Sequence, residues 1–259
     1  MDWLLARGKL VRSAYEEANE PGHPVESQTV SGSQAVLKRL LVPDSAVKVE
    51  SLPGGASLMR VSDPVSPTTD EDAVLTIRGL TAQRGTRSLR WEEVGNEPGL
   101  TLTLRRGEVA FLQAPNGWGK TTLMECVAGL VPVASGEIRL GGKSLAALKP
   151  WHRARAGVRL VKADHNVFVS LSGNEMLRLA GSMAPADAET IPLSRQVATY
   201  SGGQRQQLAL ASAMASQVPK VFLFDEPFSM LDSDAIQRFA ALFRPDPRYA
   251  VLVSLPLLI

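Results

Sequence analysis

Gln113-Ala114-Pro115-Asn116-Gly117-Trp118-Gly119-Lys120-Thr121-Thr122-Leu123 is the stretch from which the fold class can be read. It comes after the apolar run Val109-Ala110-Phe111-Leu112 and opens an apolar-periodic segment, Thr121 to Leu130, so it reads as strand, loop and helix. A glycine-rich loop between a buried strand and a helix N-terminus turns several backbone N–H groups inward. Together with the positive end of the helix dipole they cradle a polyphosphate. Lys120 adds a point charge for the outer phosphates, and the Thr121 hydroxyl is placed to ligate Mg2+. The strict form of the motif has Gly where Ala114 stands, and a methyl group is compatible with it as long as φ stays negative.

The rest of the composition sets bounds. The chain has 259 residues, enough for one large domain or for one of usual size with an appendage. Its apolar fraction of 44% and charged fraction of 21% are those of an ordinary globular protein. A net charge of +2 is too small to imply a nucleic-acid partner. The single cysteine, Cys126, excludes an internal disulfide and fits a reducing compartment. It lies amid Leu123, Val127 and Leu130 on the expected helix, a core position. The longest apolar runs, Val221 to Phe224 and Tyr249 to Leu258, are too short to cross a bilayer, and Met1 to Arg7 lacks a signal-peptide core. The expectation is a cytoplasmic protein whose membrane role, if any, comes through a partner.

Residues 1–72 differ in texture from the remainder of the chain. They carry Pro21, Pro24, Pro43, Pro53, Pro64 and Pro67 and read as a loosely packed, partly disordered N-terminal extension of unknown role. Within it, Asp2 to Ala18 and Ser33 to Leu41 have the pattern of short helices. Val47 to Leu52 and Ser57 to Val61 flank Pro53-Gly54-Gly55 as a hairpin would. From Ala73 the pattern is regular. Strands are expected at Val74 to Ile77, Leu100 to Leu104, Gly136 to Leu140 and Val158 to Val161, with an enlarged loop from Trp91 to Gly99. A helix is expected around Asn174 to Leu179, and Ala184 to Thr190 reads as a loop.

Two further motifs lie downstream. Ser201-Gly202-Gly203-Gln204 precedes a helix over Arg205 to Ser216, a second glycine-rich helix start with exposed N–H groups and a hydroxyl. Val221-Phe222-Leu223-Phe224 then ends in Asp225-Glu226-Pro227. So apolar a strand belongs in the centre of a parallel sheet, whose C-terminal ends are where ligands of α/β proteins bind. Asp225 can hold Mg2+ through water, and Glu226 can orient or deprotonate an attacking water. An amphipathic helix over Asp234 to Phe243 and a buried strand over Tyr249 to Ser254 complete the pattern.

With these motifs in order, the chain from Val74 to Ile259 resembles the ATP-binding cassette (ABC) family, the nucleotide-binding subunits of ABC transporters. The match rests on Asn116 to Thr122, Tyr200 to Gln204, Phe222 to Pro227 and Ser229-Met230-Leu231-Asp232. A phosphate loop alone leaves kinases, helicases and GTPases open. Ser-Gly-Gly-Gln just upstream of a hydrophobic strand ending in Asp-Glu closes most of those.

The resemblance implies an α/β fold of the P-loop NTPase, ABC ATPase type, over residues 73–259, short at its C-terminal end. Such a fold has a mostly parallel central sheet, an antiparallel β subdomain and a short helical subdomain. It also implies ATP and Mg2+ as ligands, a second cassette closing head to tail, and an integral membrane permease subunit, with the chain peripheral on the inner face of the cell membrane. Carried over, Asn116, Gly117, Gly119, Lys120, Thr121 and Thr122 hold the phosphates, with Thr121 and Asp225 on the metal side. Ser201, Gly202, Gly203 and Gln204 close on the nucleotide bound by the partner. Glu226 is the catalytic base, Lys120 is catalytic through its charge on the outer phosphates, and Asp232 helps couple the two sites.

Three family positions depart from the pattern. The adenine-stacking aromatic falls at Arg84, the glutamine that contacts Mg2+ and water at Ala163, and the histidine that contacts the γ-phosphate at Leu255. A guanidinium can stack on a base. Ala163 and Leu255 cannot replace the polar groups, and His23, His152 and His165 are placed as surface or loop residues. Each lost contact of this kind typically costs on the order of a hundredfold in rate. The alternatives are therefore a degenerate cassette that binds ATP with little hydrolysis, or a non-transport ATP-gated switch. Trp118 stands where the family has a small residue, and is expected either as an exposed ring or packed against the partner cassette.

Overall fold

The computed structural model describes residues 46–62, 72–85, 87–89, 91, 99–181, 191–215, 220–229, 231, 243 and 245–256. The helices expected before Leu41, the loop at Ala184 to Thr190, Asp232, His23 and most of the helix expected over Asp234 to Phe243 lie outside these residues.

The described chain opens with β1 (Ala46–Leu52) and β2 (Ala56–Ser62), an antiparallel hairpin turned through Pro53–Gly55. Next come β3 (Ala73–Arg84), β4 (Arg87–Leu89), β5 (Leu100–Arg105) and β6 (Glu108–Ala114), which leads through the glycine-rich loop into α1 (Lys120–Ala128). β7 (Val133–Leu140), β8 (Lys143–Ser144), α2 (Pro150–Ala156) and β9 (Val158–Val161) come after it. The helices α3 (Gly173–Leu179) and α4 (Gly202–Ala215) precede the last strands, β10 (Val221–Asp225) and β11 (Ala250–Pro256).

Two sheets result. The larger has the order β1-β2-β6-β11-β10-β9, with β6, β11, β10 and β9 parallel and the hairpin antiparallel at one edge. The smaller is antiparallel, β4-β3-β7-β8, with β5 also paired to β3. The α/β architecture expected from the sequence is therefore present. Every residue of β6 and β10 is buried, as parallel strands covered on both faces must be. Alternate residues of β10 serve opposite layers. Val221 and Leu223 join the apolar cluster of α1, while Phe222 and Phe224 join that of α4, with Ala209, Leu210 and Ala213. A third cluster holds Met176 and Leu177 of α3 against Leu208 and Ala211 of α4, the small helical part.

Within the stretch ahead of Ala73, the hairpin joins the larger sheet: β2 pairs along β6 from Ser57 opposite Gln113 to Ser62 opposite Glu108. A buried strand such as β6 needs hydrogen-bonding partners on both edges, and β2 supplies one of them. Arg60 secures the junction, donating at 2.6 Å to Glu108 and at 2.7 Å to the Thr103 carbonyl.

The far end of α1 is held by Arg153 of α2. Its buried guanidinium donates to the carbonyls of Cys126 (2.7 Å) and Val127 (3.1 Å) at the end of that helix, the first of which also accepts the Gly129 N–H, and to the Leu148 carbonyl (3.0 Å) ahead of α2.

Candidate functional site

The site forms where the C-terminal ends of β6, β11 and β10 meet. The register sets Leu112, Ser254 and Asp225 side by side, one residue from each strand. Ala114 is the last residue of β6, in extended conformation, so its methyl group is accommodated as expected. The loop then turns through Gly117 (φ 84°) and Gly119 (φ 107°) into α1. Gly119 occupies the N-cap position and no side chain caps the helix, which leaves the first-turn N–H groups for a ligand. A side chain at Gly119 is disfavoured by its surroundings as well as by its φ. Its Cβ would lie 3.2 Å from the ring of Trp91 and 3.3 Å from Leu89.

Lys120, only 6% exposed, donates to the Ala114 carbonyl at 2.9 Å and lies 3.4 Å from Glu226 Oε1. The structure thus brings Lys120 and Glu226 together across the sheet. Thr121 and Thr122 lie in the first turn of α1, Thr121 half-buried and Thr122 buried. Asn116 and Gly117 form the exposed tip of the loop. Asp225 is 2% exposed, and its Oδ1 accepts a 2.7 Å hydrogen bond from the Ser254 hydroxyl. The same oxygen of Ser254 accepts the backbone N–H of Glu226 at 2.9 Å. Glu226 has a φ of 45°, a left-handed conformation unusual for a non-glycine residue.

Ser201 to Gln204 start α4. Ser201 Oγ accepts the Gln204 N–H at 3.2 Å, and Gln204 Oε1 accepts the Ser201 N–H at 3.0 Å, a reciprocal cap. Ser201 and Gly202 are exposed, Gly203 and Gln204 half-buried. The stretch belongs to the helical part of the fold. Its link to the strand ends runs through Gln206, whose amide donates to the Pro227 carbonyl at 3.1 Å.

Several features had no sequence signal. Glu125, on the buried side of α1, receives Lys162 at 3.1 Å and Arg84 at 3.1 Å, the latter an ion pair without hydrogen-bond alignment. Arg84 is thus paired with Glu125 while most of its side chain stays exposed. Leu255 is buried in the apolar cluster of Phe224 and Val253. His152 is exposed beside Trp151, and His165 is exposed against Asp164, as surface and loop residues were expected to be.

Trp118 is a correction. Its ring, half-buried, does not stand free. The indole N–H donates to the Pro53 carbonyl at 2.7 Å, and the ring lies 5.8 Å from that of Trp91. The β1–β2 turn thus sits directly on the phosphate loop.

An open groove of about 850 Å3 lies at the other end of α1, between Leu130, Trp151, Ala154, Arg155, Leu160 and Lys162. Leu130 and Trp151 are half exposed there, as are Phe168 and Val169 in the loop after β9. Among the described residues no helix is long and apolar enough to cross a membrane.

Comparison with known proteins places the chain in a family. The ABC transporter family model matches residues 98–229, just over half of the chain, and leaves the β1–β2 hairpin outside. An uncharacterized ABC transporter ATP-binding protein of Rhizobium meliloti is 32% identical over 67% of this chain and 67% of its own length. An sn-glycerol-3-phosphate import ATP-binding protein of Rhizobium johnstonii is 35% identical over 52% of this chain. The matched part is 40% of that protein, so the chain spans less than half of it. Among solved structures, cbiO1 of Clostridium perfringens, part of the ABC transporter complex cbiONQ, superposes with a TM-score of 0.53 at 21% identity. It covers 71% of this chain and 78% of that one, a likeness of fold.

Proposed function

Because this chain belongs to the ABC transporter family, we propose that it is the ATP-binding subunit of a transporter, an ATPase that passes nucleotide-driven closure to a membrane subunit. The observation that carries the proposal is the meeting of Lys120 with Glu226, 3.4 Å apart, where the uncapped start of α1 faces the strand end bearing Asp225. The α1 N–H groups and Asn116, Gly117, Gly119, Lys120, Thr121 and Thr122 bind the phosphates of ATP.

The donor set also fits Mg2+: a hydroxyl at Thr121 and a buried carboxylate, Asp225, fixed through one oxygen. When bound, the ion neutralises phosphate charge during transfer. Glu226 orients and deprotonates the attacking water, with Lys120 beside it.

A second cassette supplies Ser201, Gly202, Gly203 and Gln204 across the dimer, since these residues start a different helix from the phosphate loop and are partly exposed. The membrane subunit seats a short helix in the groove of Leu130 and Trp151, which holds the chain peripheral on the inner face of the membrane. The cassette occupies 73–259, with the 46–62 hairpin as an added edge.

The test is ATP binding and turnover by wild type, Lys120→Ala and Glu226→Gln. Lys120→Ala is expected to lose binding and Glu226→Gln to bind without turning over. A wild type that binds no better than Lys120→Ala would overturn the proposal. A second reading is favoured by Leu255, whose burial among apolar side chains leaves its position without a polar group for the γ-phosphate. On that reading the chain binds ATP, hydrolyses it slowly and completes the site of a competent partner. Turnover by the isolated chain that Glu226→Gln abolishes would remove it.

A further inference from the structure

The strand β11 reads Ala-Val-Leu-Val-Ser-Leu-Pro, and Ser254 is its one polar side chain, fully buried. A buried hydroxyl in an apolar strand must find partners, and these are the carboxylate of Asp225 and the backbone N–H of Glu226. We propose that Ser254 is a positioning residue for ATP hydrolysis, tying Asp225 and Glu226 into one hydrogen-bonded unit; the inference rests on the hydrolytic reading above.

Chemistry fixes the directions of the two bonds. A carboxylate only accepts and a backbone N–H only donates, so the single Ser254 proton goes to Asp225 Oδ1 and a lone pair receives the Glu226 N–H. The hydroxyl then has no rotational freedom left. One oxygen of Asp225 is fixed, which sets the direction of the other. At Glu226 the bond anchors a backbone at φ 45°, the conformation from which its carboxylate lies 3.4 Å from Lys120. Without the acceptor, the strained residue would relax toward negative φ and carry the carboxylate away.

Ser254 also lies on the strand between β6 and β10, opposite both Leu112 and Asp225. Its neighbour Leu255 contributes no polar side chain, so the polar link from β11 to the site passes through Ser254.

The experiment uses the full chain as wild type, Ser254→Ala, Ser254→Thr and Glu226→Gln. Three quantities are measured: steady-state hydrolysis of MgATP, affinity for a fluorescent ATP analogue without metal, and Mn2+ affinity of the ATP complex by electron paramagnetic resonance. Residues that orient a metal-site carboxylate typically account for about ten- to a hundredfold in activity or metal affinity. Ser254→Ala should therefore lower kcat by that factor and weaken Mn2+ by about tenfold, leaving metal-free nucleotide affinity and KM within about threefold. Ser254→Thr keeps the hydroxyl and should stay within about threefold of wild type throughout.

Unchanged kcat and Mn2+ affinity in Ser254→Ala would overturn the proposal. So would Ser254→Thr as impaired as Ser254→Ala, which points to packing alone. If wild type turns over no faster than Glu226→Gln, the hydrolytic reading fails, and the Mn2+ titration still decides whether Ser254 orients Asp225. Should Ser254→Ala not fold, Ser254→Cys, close in shape with a much weaker donor, carries the same expectations.

Discussion

Removing the clamp between Trp118 and the β1–β2 turn should destabilise the cassette by a calculable amount. Trp118→Phe keeps most of the ring packing on Trp91 and deletes the indole N–H bond to Pro53, 2.7 Å in the structure. A single neutral hydrogen bond of this kind contributes about 1 kcal/mol net. For a domain of this size that corresponds to roughly 2–4 °C in Tm. Trp118→Ala also removes the half-buried ring, and about 2–3 kcal/mol in total is expected, somewhat below the usual cost of truncating a fully buried Trp.

Gly54→Ala tests the same contact from the other side. At φ 70° the new methyl group is strained, and it would lie 3.1 Å from Trp118 Cδ1. In the Trp118→Ala background the strain persists but the clash is gone, so the cost of Gly54→Ala should fall by about 0.5–1 kcal/mol, the coupling expected of residues in contact. Thermal melts of the four proteins by circular dichroism give the cycle. A Trp118→Phe melt superimposable on wild type, or a Gly54→Ala cost independent of Trp118, would refute the clamp.

Two further outcomes are expected. Arg153→Met removes the charged donor from the Cys126 and Val127 carbonyls, leaving Cys126 only the Gly129 N–H, and should cost about 1–3 kcal/mol in a urea melt; Arg153→Lys should recover little of it, because an ammonium cannot reproduce the guanidinium fork. Burial pushes the Cys126 thiol up from 9.0 to about 11, with the positive charge of Arg153 opposing and the Glu125 carboxylate adding to the rise. Its thiolate fraction at pH 8 should be about a hundredfold below that of a thiol at the ordinary value, so alkylation by iodoacetamide should be slow and quicken as pH rises toward 11. The folded protein holds this proton longer than the unfolded chain, so the contribution to stability is present in full below the ordinary thiol value and is lost as pH rises through 11.

Most of the cassette was legible in the residues because its signals are local. The phosphate loop announces itself by glycine spacing and a lysine at a helix start, and β10 by an unbroken apolar run ending in two acids. Both need only short-range chemistry to be read, and both sit at the strand ends where they were expected. The start of α4 was legible for the same reason, its cap being made within four residues. α2 was missed, since Pro150–Ala156 is short and carries little apolar periodicity.

The order of residues alone thus establishes the α/β class, the succession of the motifs and the chemistry each can carry. Which distant residues share the site is settled by packing. Strand pairing is non-local, so nothing in Ala46–Ser62 signals that it will cover the edge of β6, or that its turn will hold Trp118. Ser254 looks like any small residue until β11 is placed between β6 and β10 and its hydroxyl meets both acids. Arg84 and Lys162 become partners only because α1 carries Glu125 between them. In each case the deciding term is the need of a buried polar group for a partner, and that need is met by whichever residue the packed chain brings within hydrogen-bonding distance.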